Sequence, residues 1–199
     1  SPGHDSAVFG HHYAHHSNHF WKCLHRGGFT PELLPPSAGI ILPKKHNIGL
    51  TNLIERPSSE VAELAPTELT AAVPALLAKI RRRRPRAVCF VGKVIWEAIT
   101  RSLKKHSVTP MKARANKFAW GLQPYKIPHA VLPLSSPPLH LSLGSQSGAT
   151  LLYVVPSTSA RVVSHQLDDK AKLFAALRAL VDSVNKGTFD GSGIVELDV

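Results

Sequence analysis

The 199-residue chain reads as a single α/β domain built on a central parallel sheet flanked by helices. Three observations carry this reading. Apolar residues make up 43% of the chain, enough for a real core. RAVCFVGK (86–93) and TLLYVVP (150–156) are continuous apolar runs, the pattern of strands buried on both faces. Helix-period stripes alternate with those runs.

Residues 1–19, rich in Gly, His and Ser, read as loop. From His19, HFWKCLHRGGF has apolar residues at 20, 23 and 24 with a glycine pair behind them, which predicts a short helix and its stop. ILPKKHNIGLTNLIERP carries a short strand or loop near 47–54, ended by Pro57. APTELTAAVPALLAKIRRRRP has apolar residues at 69, 73, 76, 77 and 80, a helical stripe entered through Pro66. Pro74 inside that stripe argues against an unbroken helix. The first strand leads into a helix over about 93–105, then a polar, basic loop holding Lys112, Arg114 and Lys117. After the second strand, DDKAKLFAALRALVDSVNKG predicts an amphipathic helix, acidic at its start and ended by Gly187.

PHAVLPLSSPPLHLSLGSQSG (128–148) is Pro- and Ser-rich and reads as a flexible surface insertion. The domain is expected to span 1–187, with 188–199 a loosely held tail, and no internal repeat is present. Ligands of such sheets bind beyond the carboxyl ends of the strands, which puts the loops after Val91 and Val155 on one rim.

Lys and Arg number 24 against 13 Asp and Glu, a net charge of +11. That balance favours a polyanionic partner, nucleic acid or an anionic surface, over charge kept for solubility alone. No apolar run approaches the ~20 residues that span a bilayer, and no secretory signal opens the chain. Cys23 and Cys89 stand in apolar contexts outside any CxxC pair, which fits reduced thiols in an intracellular protein.

The stretch HHYAHHSNHFW (11–21) packs five histidines among aromatic residues and an asparagine. A metal site, a nucleic-acid surface and a base-reading pocket all share that composition. His11/His15, His12/His16 and His15/His19 are four apart, as two ligands on one helical face would be. Gly10, Ser17 and Asn18 argue against a regular helix, and no carboxylate follows at metalloprotease spacing. The expectation is therefore no metal. In VVPSTSAR (154–161), hydroxyls follow a strand end, a combination suited to phosphate oxygens. FVGK leaves Lys93 on the same rim.

Read in order, SPG, GHHYAHHSNHFWKCL, NIGLTNLIERP, FVGK, FAWGLQPYKIP and VVPSTSAR resemble the mismatch-specific uracil/thymine-DNA glycosylases, most closely the eukaryotic thymine-DNA glycosylases. The resemblance covers about residues 1–187 apart from the 128–148 segment. It implies a three-layer uracil-DNA-glycosylase-like fold with a central parallel sheet flanked by helices. It also implies a monofunctional, cofactor-free base-excision repair enzyme that hydrolyses the N-glycosidic bond of uracil or thymine opposite guanine, and of 5-formyl- and 5-carboxylcytosine. The implied partner is double-stranded DNA with a flipped nucleotide, bound by a monomer in the nucleus, with no membrane.

By the same resemblance His12, Tyr13 and Asn18 line the base pocket, and Asn52 bonds the base's pairing edge. Ser6 and Ala7 match small residues bordering that pocket, while His4, His15 and His16 are left as incidental surface. Arg161 matches the wedge that fills the space of the flipped nucleotide, with Ser157, Ser159 and Lys93 on phosphates. The Arg81–Arg84 run is expected away from this rim, where it gives non-specific attraction or solvation.

One departure bears on the chemistry. The family's first motif ends in Asn-Pro-Gly, its asparagine positioning the attacking water and its first strand lying just upstream; here the motif is Ser1-Pro2-Gly3. A hydroxyl offers one donor where an amide offers two and an acceptor. Two readings follow, a glycosylase in which Ser1 holds the water, or a weakened or inactive binder of mismatched or modified DNA. Asp5 has no acid counterpart in the family and is assigned no catalytic role. Without a strong general base, bond breaking runs ahead of water attack, through an oxocarbenium-like sugar and an anionic leaving base.

Overall fold

A computed structural model of the chain describes residues 1–106, 118–129 and 148–198. The basic loop with Lys112, Arg114 and Lys117, and nearly all of the 128–148 segment, lie outside the described residues.

Helices α1 (His4–Phe9), α2 (Phe20–Arg26) and α3 (Leu42–His46) precede α4 (Pro66–Arg83), strand β1 (Ala87–Val91) and α5 (Lys93–His106). Strands β2 (Gly121–Pro128) and β3 (Ala149–Val155), helix α6 (Leu167–Asn185) and strand β4 (Val195–Glu196) complete the order. The strands lie β1-β3-β2-β4. β1 is parallel to β3 and β2 to β4, while β2 runs antiparallel to β3.

Alternation along β3 builds the three layers. Leu152 and Val154 face a core with α4 and α5, through Val73, Leu76, Ile80, Ile99 and Leu103. Tyr153 and Val155 face the opposite core, with Phe20, Trp21 and Leu24 of α2 and Phe174 and Leu177 of α6. Each fully buried aliphatic side chain among these contributes roughly 1.5–3 kcal/mol over leaving it in water. α2 and α6 approach so closely at Gly27 that a β-carbon there would sit 2.7 Å from Phe174 Cβ.

Several expectations need correction. Residues 4–9 are not loop but the short helix α1; 47–54, read as strand or loop, is loop. Pro74 does not break α4; it lies on the exposed face, away from the stripe of Val73, Leu76 and Leu77 that enters the core. The segment GLQPYKIP is strand β2, in which the register shifts between Leu122 and Lys126, around Pro124. The tail is not loose. Val195 and Glu196 pair with Tyr125 and Lys126, and Leu197, 1% exposed, enters the α4/α5 core.

Candidate functional site

The carboxyl ends of β1 and β3 are tied where the Gly92 amide donates to the Val155 carbonyl at 2.8 Å. Gly92 takes φ +108°, a value glycine adopts at little steric cost, and this turn delivers Lys93 at the start of α5. Beyond these ends opens a cleft of about 940 Å³, walled by α1, the histidine-rich loop, the 51–60 loop and the 156–165 loop. The Arg81–Arg83 turn precedes β1 and so lies at the other end of the sheet.

At one wall, Ser1 Oγ is 2.6 Å from Ser58 Oγ, and the Ser58 amide donates to the Pro2 carbonyl. Ser58 is buried. On α1, Ser6 Oγ accepts from the Ala14 amide at 3.1 Å, which pins the histidine-rich loop to the helix. His4, Asp5 and Ser6 line the cleft, whereas Ala7, Val8 and Phe9 are exposed. Ala7 therefore does not border the pocket as expected.

Tyr13 holds φ +55°, a left-handed conformation that costs a non-glycine residue roughly 1–2 kcal/mol. Its ring stacks on Phe20 at 3.9 Å, and burial pushes its phenol pKa upward, keeping it neutral. The His12 carbonyl accepts from Trp21 Nε1, and burial of the His12 ring lowers its pKa against the opposing charge of Glu55. His12 is thus the neutral imidazole at pH 7. Asn18 Oδ1 accepts from the Phe20 amide at 2.9 Å, starting α2. Glu55 accepts from Lys79 at 3.1 Å and from the Asn52 side chain, which hold its carboxyl below the usual range. His4 and His15, read as incidental, also line the cleft.

The 156–165 loop is built from its own hydroxyls. Ser157 Oγ accepts from the Ser159 amide and Ser159 Oγ from the Arg161 amide, so each O–H remains a donor. Arg161, with 81% of its side chain exposed, lies 3.4 Å from Glu60 across the cleft mouth. Lys93 pairs with Glu97 at 3.4 Å and lies 5.2 Å from the Phe118 ring centre. In all, Ser1, Ser6, His12, Tyr13, Asn18, Asn52, Lys93, Ser157, Ser159 and Arg161 share this cleft, and Ala7 does not. Among the described residues, no three His, Cys, Asp or Glu are arranged to hold a metal ion.

A family model described as the uracil DNA glycosylase superfamily matches residues 1–180. The chain belongs to this superfamily. Uracil-DNA-glycosylase superfamily proteins are hydrolases of base excision repair that act on DNA, and the net charge of +11 suits that polyanion. No helix among the described residues is long and apolar enough to cross a membrane.

Sequence reasoning missed Ser58, Glu60 and Lys170. For Ser58 a signal existed, a hydroxyl pair directly after IERP in the Asn52 motif. Glu60 and Lys170 carry no local mark, since only the fold brings them to the Arg161 loop.

Proposed function

We propose that this superfamily member is a monofunctional DNA glycosylase of the mismatch-specific, thymine type. It flips thymine or uracil opposite guanine and hydrolyses the N-glycosidic bond, acts as a monomer in the nucleus, and also removes 5-formyl- and 5-carboxylcytosine. The observation that carries the reading is one cleft shared by the Ser1–Ser58 hydroxyl pair, the histidine-rich loop and Arg161.

The chemistry follows from what each group still has to offer. Extrusion of the nucleotide costs a few kcal/mol, less for a mispair, and an Arg161 guanidinium in the vacated stack offsets part of it. Ser157 and Ser159 donate their O–H groups to phosphates beside the kink, and Lys93 adds charge. With Asn18 Oδ1 already accepting, its amide nitrogen is the donor turned to the base. Neutral His12 and the amide of Asn52 complete a mixed donor and acceptor set.

The C1′–N bond breaks with its electron pair leaving on the base. Water oxygen then bonds C1′ and its proton passes to solvent or to the departed base. Within the Ser1–Ser58 pair one hydroxyl donates to the other, leaving one O–H and free lone pairs. The two serines together thus offer water a donor and an acceptor, much of what a single asparagine offers.

Single-turnover incubation with duplexes carrying G·T, G·U or G·5-carboxylcytosine, followed by alkaline cleavage, tests the proposal. Strand breaks at the modified position, unchanged by EDTA, support it. Tight, salt-sensitive binding without breaks would favour the second reading, a non-catalytic binder of mismatched or modified DNA. The observation behind that reading is serine at position 1.

A further inference from the structure

Lys170 is fully buried, at 0% exposure. Its ammonium donates to the Ser159 carbonyl at 2.8 Å and lies 3.4 Å from His19 Nδ1. No carboxylate pairs with it among the described residues. Asp168 is engaged with Arg26, and Asp169 accepts from the Gln166 amide.

For stability alone this placement is poor. Lys170 sits in the first turn of α6, where the helix dipole repels a cation. A buried, unpaired ammonium is also costly, and burial lowers its pKa below the ordinary lysine value. An aliphatic side chain of similar length would bury there more cheaply.

What the ammonium does instead is join two walls of the cleft. Ser159 is two residues before Arg161, and its hydroxyl accepts from the Arg161 amide. His19 follows Asn18 directly, and the His19 amide donates to the Thr158 carbonyl at 2.8 Å. An ammonium only donates, so His19 Nδ1 must accept. Burial first, then Lys170, Lys22 and Arg26, depress the His19 pKa and keep that ring neutral. Between the anchors, the buried Thr158 hydroxyl has no hydrogen-bond partner among the described residues. To the loop's own Ser157 and Ser159 bonds, Lys170 and the His19 amide thus add anchors on α6 and on the histidine-rich loop.

We infer that Lys170 is a positioning residue, whose ammonium locks the Arg161 loop to the histidine-rich loop so that wedge and base pocket meet a flipped nucleotide in register. The inference rests on the glycosylase reading above, because it acts through Arg161.

The test is a double-mutant cycle of Lys170→Met and Arg161→Ala. The probe is a G·T duplex with a 2′-fluoro target nucleoside that resists cleavage and a neighbouring 2-aminopurine that brightens on extrusion. Lys170→Met is expected to keep the melting temperature, lower the extrusion equilibrium roughly tenfold, and have little further effect in the Arg161→Ala background. Additive losses, or full extrusion by Lys170→Met while Arg161→Ala fails, overturn the inference and leave the glycosylase reading standing. If Lys170→Met does not fold, Lys170→Gln, which keeps a donor, takes its place in the cycle. Failure of both to fold assigns Lys170 to stability alone and overturns the positioning role. Absence of both extrusion and excision by the wild type overturns the glycosylase reading and this inference with it.

Discussion

Arg161 and Glu60 face each other across the mouth of the cleft, Nη1 to Oε1 at 3.4 Å, with both side chains largely exposed. On the proposed reading, in which Arg161 enters the DNA, an acid at that position restrains the wedge and repels phosphates nearby. Glu60→Gln is expected to tighten binding to mismatched duplex by about two- to fivefold, the range of an exposed pair. Anisotropy titrations at low and moderate salt read this directly. Unchanged affinity at low salt would show that the pair exerts no hold on the arginine.

Under the proposed mechanism, the Ser1–Ser58 hydroxyl pair gives Ser58 a share in holding the water. Ser58→Ala is expected to slow single-turnover excision about tenfold while leaving duplex affinity within a factor of two. Ser1→Asn is expected to raise the rate, since an amide adds a donor. An equal loss of rate and affinity in Ser58→Ala would instead assign that hydroxyl to binding.

Three histidines, His12, His19 and His129, have pKa values lowered chiefly by burial. Below the unfolded value of about 6.5, the unfolded chain takes up protons that the folded chain resists. Stability is therefore complete above that pH and falls as pH drops through the lowered folded values. Melting temperature is expected to rise from pH 5 to pH 7 and then level off. His129→Gln should flatten part of that rise; a melting temperature independent of pH across the window would contradict the assignment.

Packing supplies a fourth check. At Gly27, a methyl group would meet Phe174 Cβ at 2.7 Å and the Phe174 backbone carbon at 3.0 Å. Gly27→Ala is expected to cost about 1–3 kcal/mol by forcing α2 from α6. Leu197→Ala removes a side chain that is 1% exposed and is expected to cost about 2–5 kcal/mol. Urea unfolding measures both. A negligible cost at Leu197 would restore the view of the C-terminal residues as a loose tail.

How far the sequence could be read depended on whether a feature was local. α4, β1, β3 and α6 announce themselves because their periodicity spans the element and Gly or Pro marks an end. β2 hides because Pro124 and the accompanying register shift break its alternation. β4 is two residues long and gains its meaning from Tyr125 and Lys126, seventy residues earlier in the chain. HDSAVF becomes α1 without a side-chain cap or an apolar stripe to signal it. The cleft-lining residues were found through contiguous motifs. Lys170 was not, because its charge resembles the solvated face of α6 until α2 and the Arg161 loop converge over it. Ala7 is exposed and outside the cleft lining although His4, Asp5 and Ser6 of the same short helix are within it, a difference that no local pattern in HDSAVF marks.

The antiparallel pairing of β2 with β3 also has a practical side. Pro128 lies opposite Ala149, and the His129 amide donates to the Gly148 carbonyl, so the two chain ends around residues 130–147 are closed into a hairpin base. That base sits at the start of β3, while the cleft opens at its far end beyond Val155, about 20 Å away along the strand. The pairing that fixes these two anchors is thus separated from the cleft by the length of β3. A substitution that loosens the bond between the His129 amide and the Gly148 carbonyl is felt first in the β2–β3 ladder, a strand's length from the cleft walls.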